Sequence, residues 1–297
     1  MTQGGFAERL AGAVEAKRSQ VVVGLDPDPA QLLPGAVERA GEGSPAERAA
    51  RAVAAHCGAL VEALAPTCVA VKLQVACFER LGAPGWDALA ATADAARAAG
   101  LLVIADAKRG DVPHTAAAYA QGLLGATPTP WGPVEGLGAD AVTVNPLLGL
   151  DALEPFVDAA RAAGAGVFVL VRTSNPGAAV VQDEPADTPL RLRLAALVNE
   201  LGGTGPGLSD VGAVVAATAP ELIAELRAAM PRATFLLPGV GAQGGSVDLL
   251  SAAFAPGSSG ALVTASRSIV SAALEAGDPR AAATAAEELR ATTWNLR

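Results

Sequence analysis

Two hydrophobic patterns take turns along this chain. One is the short continuous apolar run, found at residues 20–26, 68–73, 101–106, 141–145, 166–172, 212–217, 234–237 and 261–265. Several of these are nearly uninterrupted Val, Leu and Ile, as a parallel strand covered on both faces requires. The other is alanine-rich with helical spacing, as at 45–64, 86–99, 190–201 and 220–230. Ser44-Pro45 and Ala219-Pro220 read as helix starts, with proline in the first turn, and Gly100 reads as a stop. An amphipathic helix at 6–17 precedes the first strand, and a last helix near 279–291 follows the eighth. Eight β–α pairs in this length predict an α/β fold, a (β/α)8 TIM barrel forming a single domain over 1–297 with an extra N-terminal helix. Two connections are longer than usual: 123–138, rich in Gly, Pro and Thr, and 176–189, acidic and proline-containing. The first is expected to be a surface excursion below the barrel or at a subunit contact.

Composition narrows the partners. Half of the 297 residues (51%) are hydrophobic but only 3% are aromatic, so the core must be built from Ala, Val, Leu and Ile. A net charge of −9 argues against nucleic acid or an anionic membrane as the main partner, while leaving room for a small phosphorylated substrate in a local cationic pocket. Cys57, Cys68 and Cys77 have no CxxC spacing and read as reduced thiols of a cytoplasmic protein, with Cys77 packing near the second strand. With only His56 and His114 available, a His/Cys zinc site is not expected. His56 is expected on a helix surface or in a local hydrogen bond, Trp86 as an anchor of its helix, and Trp131 as decoration of the first insertion. Glu8, Arg9, Glu15, Lys17 and Arg18 break any signal-peptide core, and no run reaches the ~18 apolar residues of a membrane helix.

In a barrel of this kind the site forms at the carboxyl ends of the strands. The polar residues that collect there are Asp26; Lys72 and Gln74; Asp106, Lys108, Arg109 and Asp111; Asn145; Arg172, Thr173, Ser174 and Asn175; the 238–245 loop; and Ser266, Arg267 and Ser268. Asp106 and Lys108 are two apart, so on a strand both side chains point the same way, and Lys72 can reach them from the neighbouring strand. Such a set can also be an ion-pair network that merely stabilises the barrel mouth. Lysine and aspartate are rarely buried unless paired, and their recurrence at one strand end after another favours a site. The loop from Pro238 to Gly245, with four glycines including Gly241, reads as a phosphate cradle: backbone N–H groups approach an anion, and the following helix adds its N-terminal dipole. Arg267 at the next strand end can add a bidentate fork. A Rossmann or Walker fingerprint is absent.

The segment Ile104-Ala105-Asp106-Ala107-Lys108-Arg109-Gly110-Asp111-Val112 resembles the D-x-K-x-x-D signature of orotidine 5'-phosphate decarboxylases, in the K-R-G-D form of the longer bacterial branch. Leu25-Asp26, Val71-Lys72-Leu73-Gln74, Thr173-Ser174-Asn175-Pro176-Gly177, Pro238-Gly239-Val240-Gly241-Ala242-Gln243-Gly244-Gly245 and Ser266-Arg267-Ser268-Ile269 follow in the family's order. His114 stands where Asn or Ser often precedes the threonine, and Ser266 where Gly commonly precedes the arginine. The resemblance implies a cofactor-free, metal-free homodimer with shared active sites, acting on orotidine 5'-phosphate. It implies a charge network of Lys72, Asp106, Lys108 and Asp111, with Asp111 reaching into the partner's site. Asp26 and Lys72 would take the ribose hydroxyls, with help from the partner's Thr115. Ser174 and Gln243 would contact the pyrimidine, and Arg267 the phosphate, in a pocket completed by Pro238, Gly241 and Ser266. Two other readings stay open: a magnesium-dependent sugar-phosphate enzyme of the same superfamily, and a non-catalytic nucleotide-binding barrel.

Overall fold

The computed structural model describes residues 4–296 except Ala242. Eight strands run parallel and close on themselves in sequence order: β1 Val21–Leu25, β2 Ala70–Gln74, β3 Leu102–Arg109, β4 Ala141–Val144, β5 Gly166–Arg172, β6 Ser209–Val215, β7 Ala233–Leu237 and β8 Ala261–Ala265, with β8 pairing back onto β1. Each lies on one of the eight predicted apolar runs, with ends moved by up to three residues.

Strand alternation divides the core in two. Val21, Val23, Val71, Val103, Val142, Val167 and Val169 face outward into the helices. Val22, Ile104, Phe168, Val214, Leu236 and Leu262 fill the barrel interior. The helix Phe6–Lys17 closes the floor of that interior with buried Phe6, Leu10 and Val14. Phe6 meets Phe168 edge-on with ring centroids 5.8 Å apart. Gly166 makes this approach possible, since a Cβ there would lie 2.3 Å from the Phe6 ring.

The helix starts follow their capping chemistry. Pro45–Leu64 opens with a complete capping box, Ser44 and Glu47 each satisfying the other's backbone N–H. The 220–230 segment departs from the prediction: Pro220–Leu222 is a 3-10 turn that leads into the α-helix Ile223–Ala229. Trp86 sits on the helix Ala83–Ala98 but is 42% exposed; buried Ala88, Leu89, Ala93 and Ala96 hold that helix instead. His56 is buried rather than on a helix surface. Its Nδ1 accepts the Leu33 N–H at 3.2 Å, and burial lowers its pKa to about 4. Cys57 and Cys68 are buried free thiols and Cys77 is half-buried.

The 123–138 insertion joins the helix Pro113–Leu123 to β4, which puts it at the end of the barrel opposite the strand carboxyl termini. It holds a small antiparallel pair, Ala126–Thr127 with Val134–Glu135, and Trp131 at its tip is 93% exposed. The 176–189 insertion follows β5 and so lies at the mouth; it contains the short helix Ala178–Gln182. No helix among the described residues is long and apolar enough to cross a membrane.

Candidate active site

Parallel pairing of β2 with β3 puts Gln74 beside Asp106, and Lys72 beside Ile104 one pleat below. Lys72 and Asp106 are 6% and 5% exposed, so each ion needs a partner close by. Asp106 has four. Lys72 Nζ donates to its Oδ2 at 2.8 Å and Gln74 Nε2 to the same oxygen at 3.2 Å. Lys108 Nζ donates to Oδ1 at 2.6 Å and the Thr143 hydroxyl, from β4, at 2.8 Å. Asp26, at the end of β1, stands 3.6 Å from Lys72 Nζ.

Lys108 does not reach Asp106 by simple alternation. The pairing of β3 with β4 shifts register between Ala105 and Arg109, and Lys108 adopts φ +48°, a left-handed conformation that costs a non-glycine residue roughly 1–2 kcal/mol. The Thr143 hydroxyl holds this kink, accepting the Lys108 backbone N–H at 3.0 Å while donating to Asp106. Beyond the kink Arg109 turns away from the mouth, pairs with Glu79 and stacks over Tyr119 at 5.3 Å. The Lys108 side chain stays 44% exposed, open to the cavity above.

Burial penalises the charge on Asp106, but Lys72 and Lys108 outweigh it, holding the carboxyl well below the usual carboxylate range. Burial likewise penalises the Lys72 ammonium, and Asp106 and Asp26 outweigh it, so the pKa of Lys72 is raised. Both groups are therefore ionised across neutral pH.

The far wall of the cavity, which encloses about 220 Å³, is formed by Thr173, Ser174, Pro238, Gln243, Ser266 and Arg267. In the 238–245 loop the N–H groups of Gly241, Gly244 and Gly245 bond to the carbonyls of Gly245, Gly241 and Gly239 at 3.0, 2.8 and 3.0 Å. They close the loop on itself instead of offering themselves to an anion. The loop is tight for steric reasons: Gly239 has φ +101°, and a Cβ there would lie 2.9 Å from Thr218 Cγ2. No α-helix follows it, contrary to the sequence expectation; the chain continues as 3-10 turns at Val247–Leu249 and Ser251–Phe254. The helix N-terminus at this wall belongs to Arg267–Ala276 after β8. Ser266 fits where the resemblance expects glycine because Gly24, on β1, has no side chain: a Cβ on Gly24 would lie 1.8 Å from Ser266 Oγ.

Of the expected site residues, Lys72, Asp106, Lys108, Asp26, Ser174, Pro238, Gln243, Ser266 and Arg267 line this one cavity. Gly241 lies within the loop behind it. Asp111 and Thr115 are not brought to the cavity of their own chain; Asp111 Oδ1 accepts its neighbour Val112's N–H at 2.8 Å. Ala242 lies outside the described residues. Thr143 was not singled out from sequence, although it is the one polar residue in Ala141-Val142-Thr143-Val144. Gln74 stood at a strand end without a role. Thr264, buried on β8, also lines the cavity, and its hydroxyl has no partner among the described residues. Among the described residues no three His, Cys, Asp or Glu side chains are grouped to hold a metal ion.

The family model for the orotidine 5'-phosphate decarboxylase / HUMPS family matches residues 19–286. A Rhodopirellula baltica protein named orotidine 5'-phosphate decarboxylase is 42% identical over 272 residues, covering 89% of this chain and 88% of its own. A Deinococcus radiodurans protein of the same name is 41% identical and covers 94% of each chain. The solved structure of Leishmania donovani OMP decarboxylase superposes with a TM-score of 0.70 at 34% identity, covering 97% of this chain and 99% of that one.

Proposed function

The chain belongs to the orotidine 5'-phosphate decarboxylase / HUMPS family, and from that membership we propose how its own side chains carry out the family's chemistry. It is a carboxy-lyase with orotidine 5'-phosphate decarboxylase activity in pyrimidine biosynthesis. The reaction takes CO2 from C6 of the pyrimidine and leaves a carbanion with no electron sink beside it. In our reading the protein's own charges stabilise that carbanion, without a cofactor. The substrate carboxylate lies against Asp106. Two like charges ~4 Å apart at an effective dielectric of ~20 repel by about 4 kcal/mol, and the repulsion disappears as CO2 departs. Lys108 meets the developing negative charge and then gives its proton to C6. Because its partners already hold Asp106, the charges need little reorganisation when the reaction occurs.

The rest of the cavity grips the parts of the substrate that do not react. Asp26 and Lys72 take the ribose hydroxyls. Ser174 and Gln243 contact the pyrimidine, Gln243 also bridging to the phosphate that Arg267 holds, with Pro238, Gly241 and Ser266 completing that side. Phosphate binding presses the carboxylate toward Asp106 and closes the loop after β7. Asp111 and Thr115, away from their own cavity, serve the partner's site in a cytoplasmic homodimer.

The observation that carries this reading is the Asp106 carboxylate set between two ammonium groups in the same cavity that Arg267 lines. The test mixes purified protein with orotidine 5'-phosphate in EDTA and follows the ultraviolet change on conversion to uridine 5'-phosphate. Full turnover in EDTA is expected. Turnover that disappears in EDTA and returns with magnesium would overturn the cofactor-free mechanism.

A further inference from the structure

The 176–189 insertion lines no part of the cavity, yet it holds a strand end that does. Thr173 and Ser174 leave β5 at the mouth. Three hydrogen bonds from two side chains, Gln182 and Asn175, secure Thr173. The Gln182 Oε1 accepts its backbone N–H at 2.8 Å, the Gln182 Nε2 donates to its hydroxyl at 3.0 Å, and that hydroxyl donates to Asn175 Oδ1 at 2.7 Å. One amide therefore meets both the main chain and the side chain of the residue next to Ser174, which fixes the direction in which Ser174 leaves the strand.

Gln182 is itself held in place. It ends the short helix Ala178–Gln182, whose Ala178 is buried, and the next residue, Asp183, is gripped by the buried Arg172 from β5. Arg172 Nε and Nη2 donate to the two Asp183 oxygens at 3.0 Å each. Arg191 adds a contact to Asp183 at 3.3 Å and ties it to Glu225 at 3.0 Å. A bidentate, largely buried arginine–carboxylate pair is a rigid mount. The amide of Gln182 is thus braced on one side by ion pairs and reaches the strand end on the other.

We propose that Gln182 is a positioning residue for pyrimidine recognition: through Thr173 it sets Ser174 against the base, while the ribose and phosphate contacts are independent of it. The inference rests on the assignment of Ser174 to the pyrimidine. Gln182→Met keeps the volume and removes both polar atoms. Gln182→Glu keeps an acceptor for the Thr173 N–H.

The test titrates full-length wild type and both variants by calorimetry with two ligands, uridine 5'-phosphate and ribose 5-phosphate, and measures KM and kcat for orotidine 5'-phosphate in parallel. Gln182→Met is expected to weaken uridine 5'-phosphate binding and raise KM about tenfold, the scale of losing a pair of neutral hydrogen bonds. Its ribose 5-phosphate affinity and kcat should stay within about twofold of wild type, and Gln182→Glu should recover most of the loss. Equal weakening of both ligands, no weakening of either, or a Glu variant no better than Met would each overturn the inference. Wild-type protein that binds uridine 5'-phosphate but turns over no orotidine 5'-phosphate would sink the decarboxylation mechanism and leave the binding comparison legible.

Discussion

The two walls of the cavity are opposite in kind. On the β1–β4 side every charge already has a partner: Asp106 accepts from Lys72, Gln74, Lys108 and Thr143, and the cluster lies mostly out of water. On the β5–β8 side the exposed Arg267 guanidinium makes no hydrogen bond or ion pair among the described residues, and the glycine loop bonds the N–H groups of Gly241, Gly244 and Gly245 to its own carbonyls. In the proposed mechanism the first wall is an electric field assembled by folding, and the second is a grip that its ligand completes. Charges that must act on a transition state gain from being fixed beforehand, because nothing has to move as the bond breaks. A charge whose task is to capture an anion gains from being left accessible.

Four experiments separate the walls, and the largest effect is expected at the fixed one. Lys108→Ala should lower kcat by about 10⁴-fold, combining lost proton donation with lost charge stabilisation, and should lower the melting temperature only modestly, because Lys72, Gln74 and Thr143 still hold Asp106. Near-normal turnover would show that the field is not where the chemistry happens. Thr143→Val keeps the shape but releases the Lys108 kink and removes one donor from Asp106. We expect kcat to fall about 10²-fold with little change in KM; a change confined to KM would place Thr143 in binding. Arg267→Ala should act in the reverse sense, raising KM about 30-fold, as loss of a charged hydrogen bond does, with kcat far less affected. An unchanged KM would remove the phosphate from that wall.

The smallest effect concerns stability in acid. The folded pKa of Asp106 lies below its unfolded value near 3.9, so its ion pairs contribute fully above that value and are lost as pH falls below it. Urea midpoints measured from neutral pH downward should drop there in wild type. Asp106→Asn should lack that part of the drop, and Arg267→Ala should keep it. Identical acid slopes in all three proteins would mean that the cluster contributes nothing to pH-dependent stability.

Much of this was legible in the sequence, and the gaps have physical causes. The eight strands were visible because a parallel strand buried on both faces leaves an apolar run, as at Gly166–Arg172, which is buried throughout. Lys72, Asp106 and Lys108 were legible as a group because ions at strand ends need one another. The route by which Lys108 joins was not: period-two alternation assumes a straight strand, and β3 kinks. Thr143 escaped notice because a threonine in a strand is ordinary, and only the register of β4 against β3 gives it two partners. The glycine loop misled because glycine content permits a tight turn without saying where its N–H groups point. Gln182 was hidden for another reason: the acidic, proline-containing stretch around it reads as a loop, and Arg172 had no visible counterpart until Asp183 folded back onto it.

The contact between Gly24 and Ser266 joins the first strand of the barrel to the turn after the last, and it makes two distant positions share one side chain's worth of space. Neither is free to vary alone. Alanine at 24 evicts the serine hydroxyl, whereas glycine at 266 opens a vacancy that alanine at 24 can fill. Substitutions at these two places are therefore expected to be accepted as a linked pair, so that the history of one is written in the identity of the other.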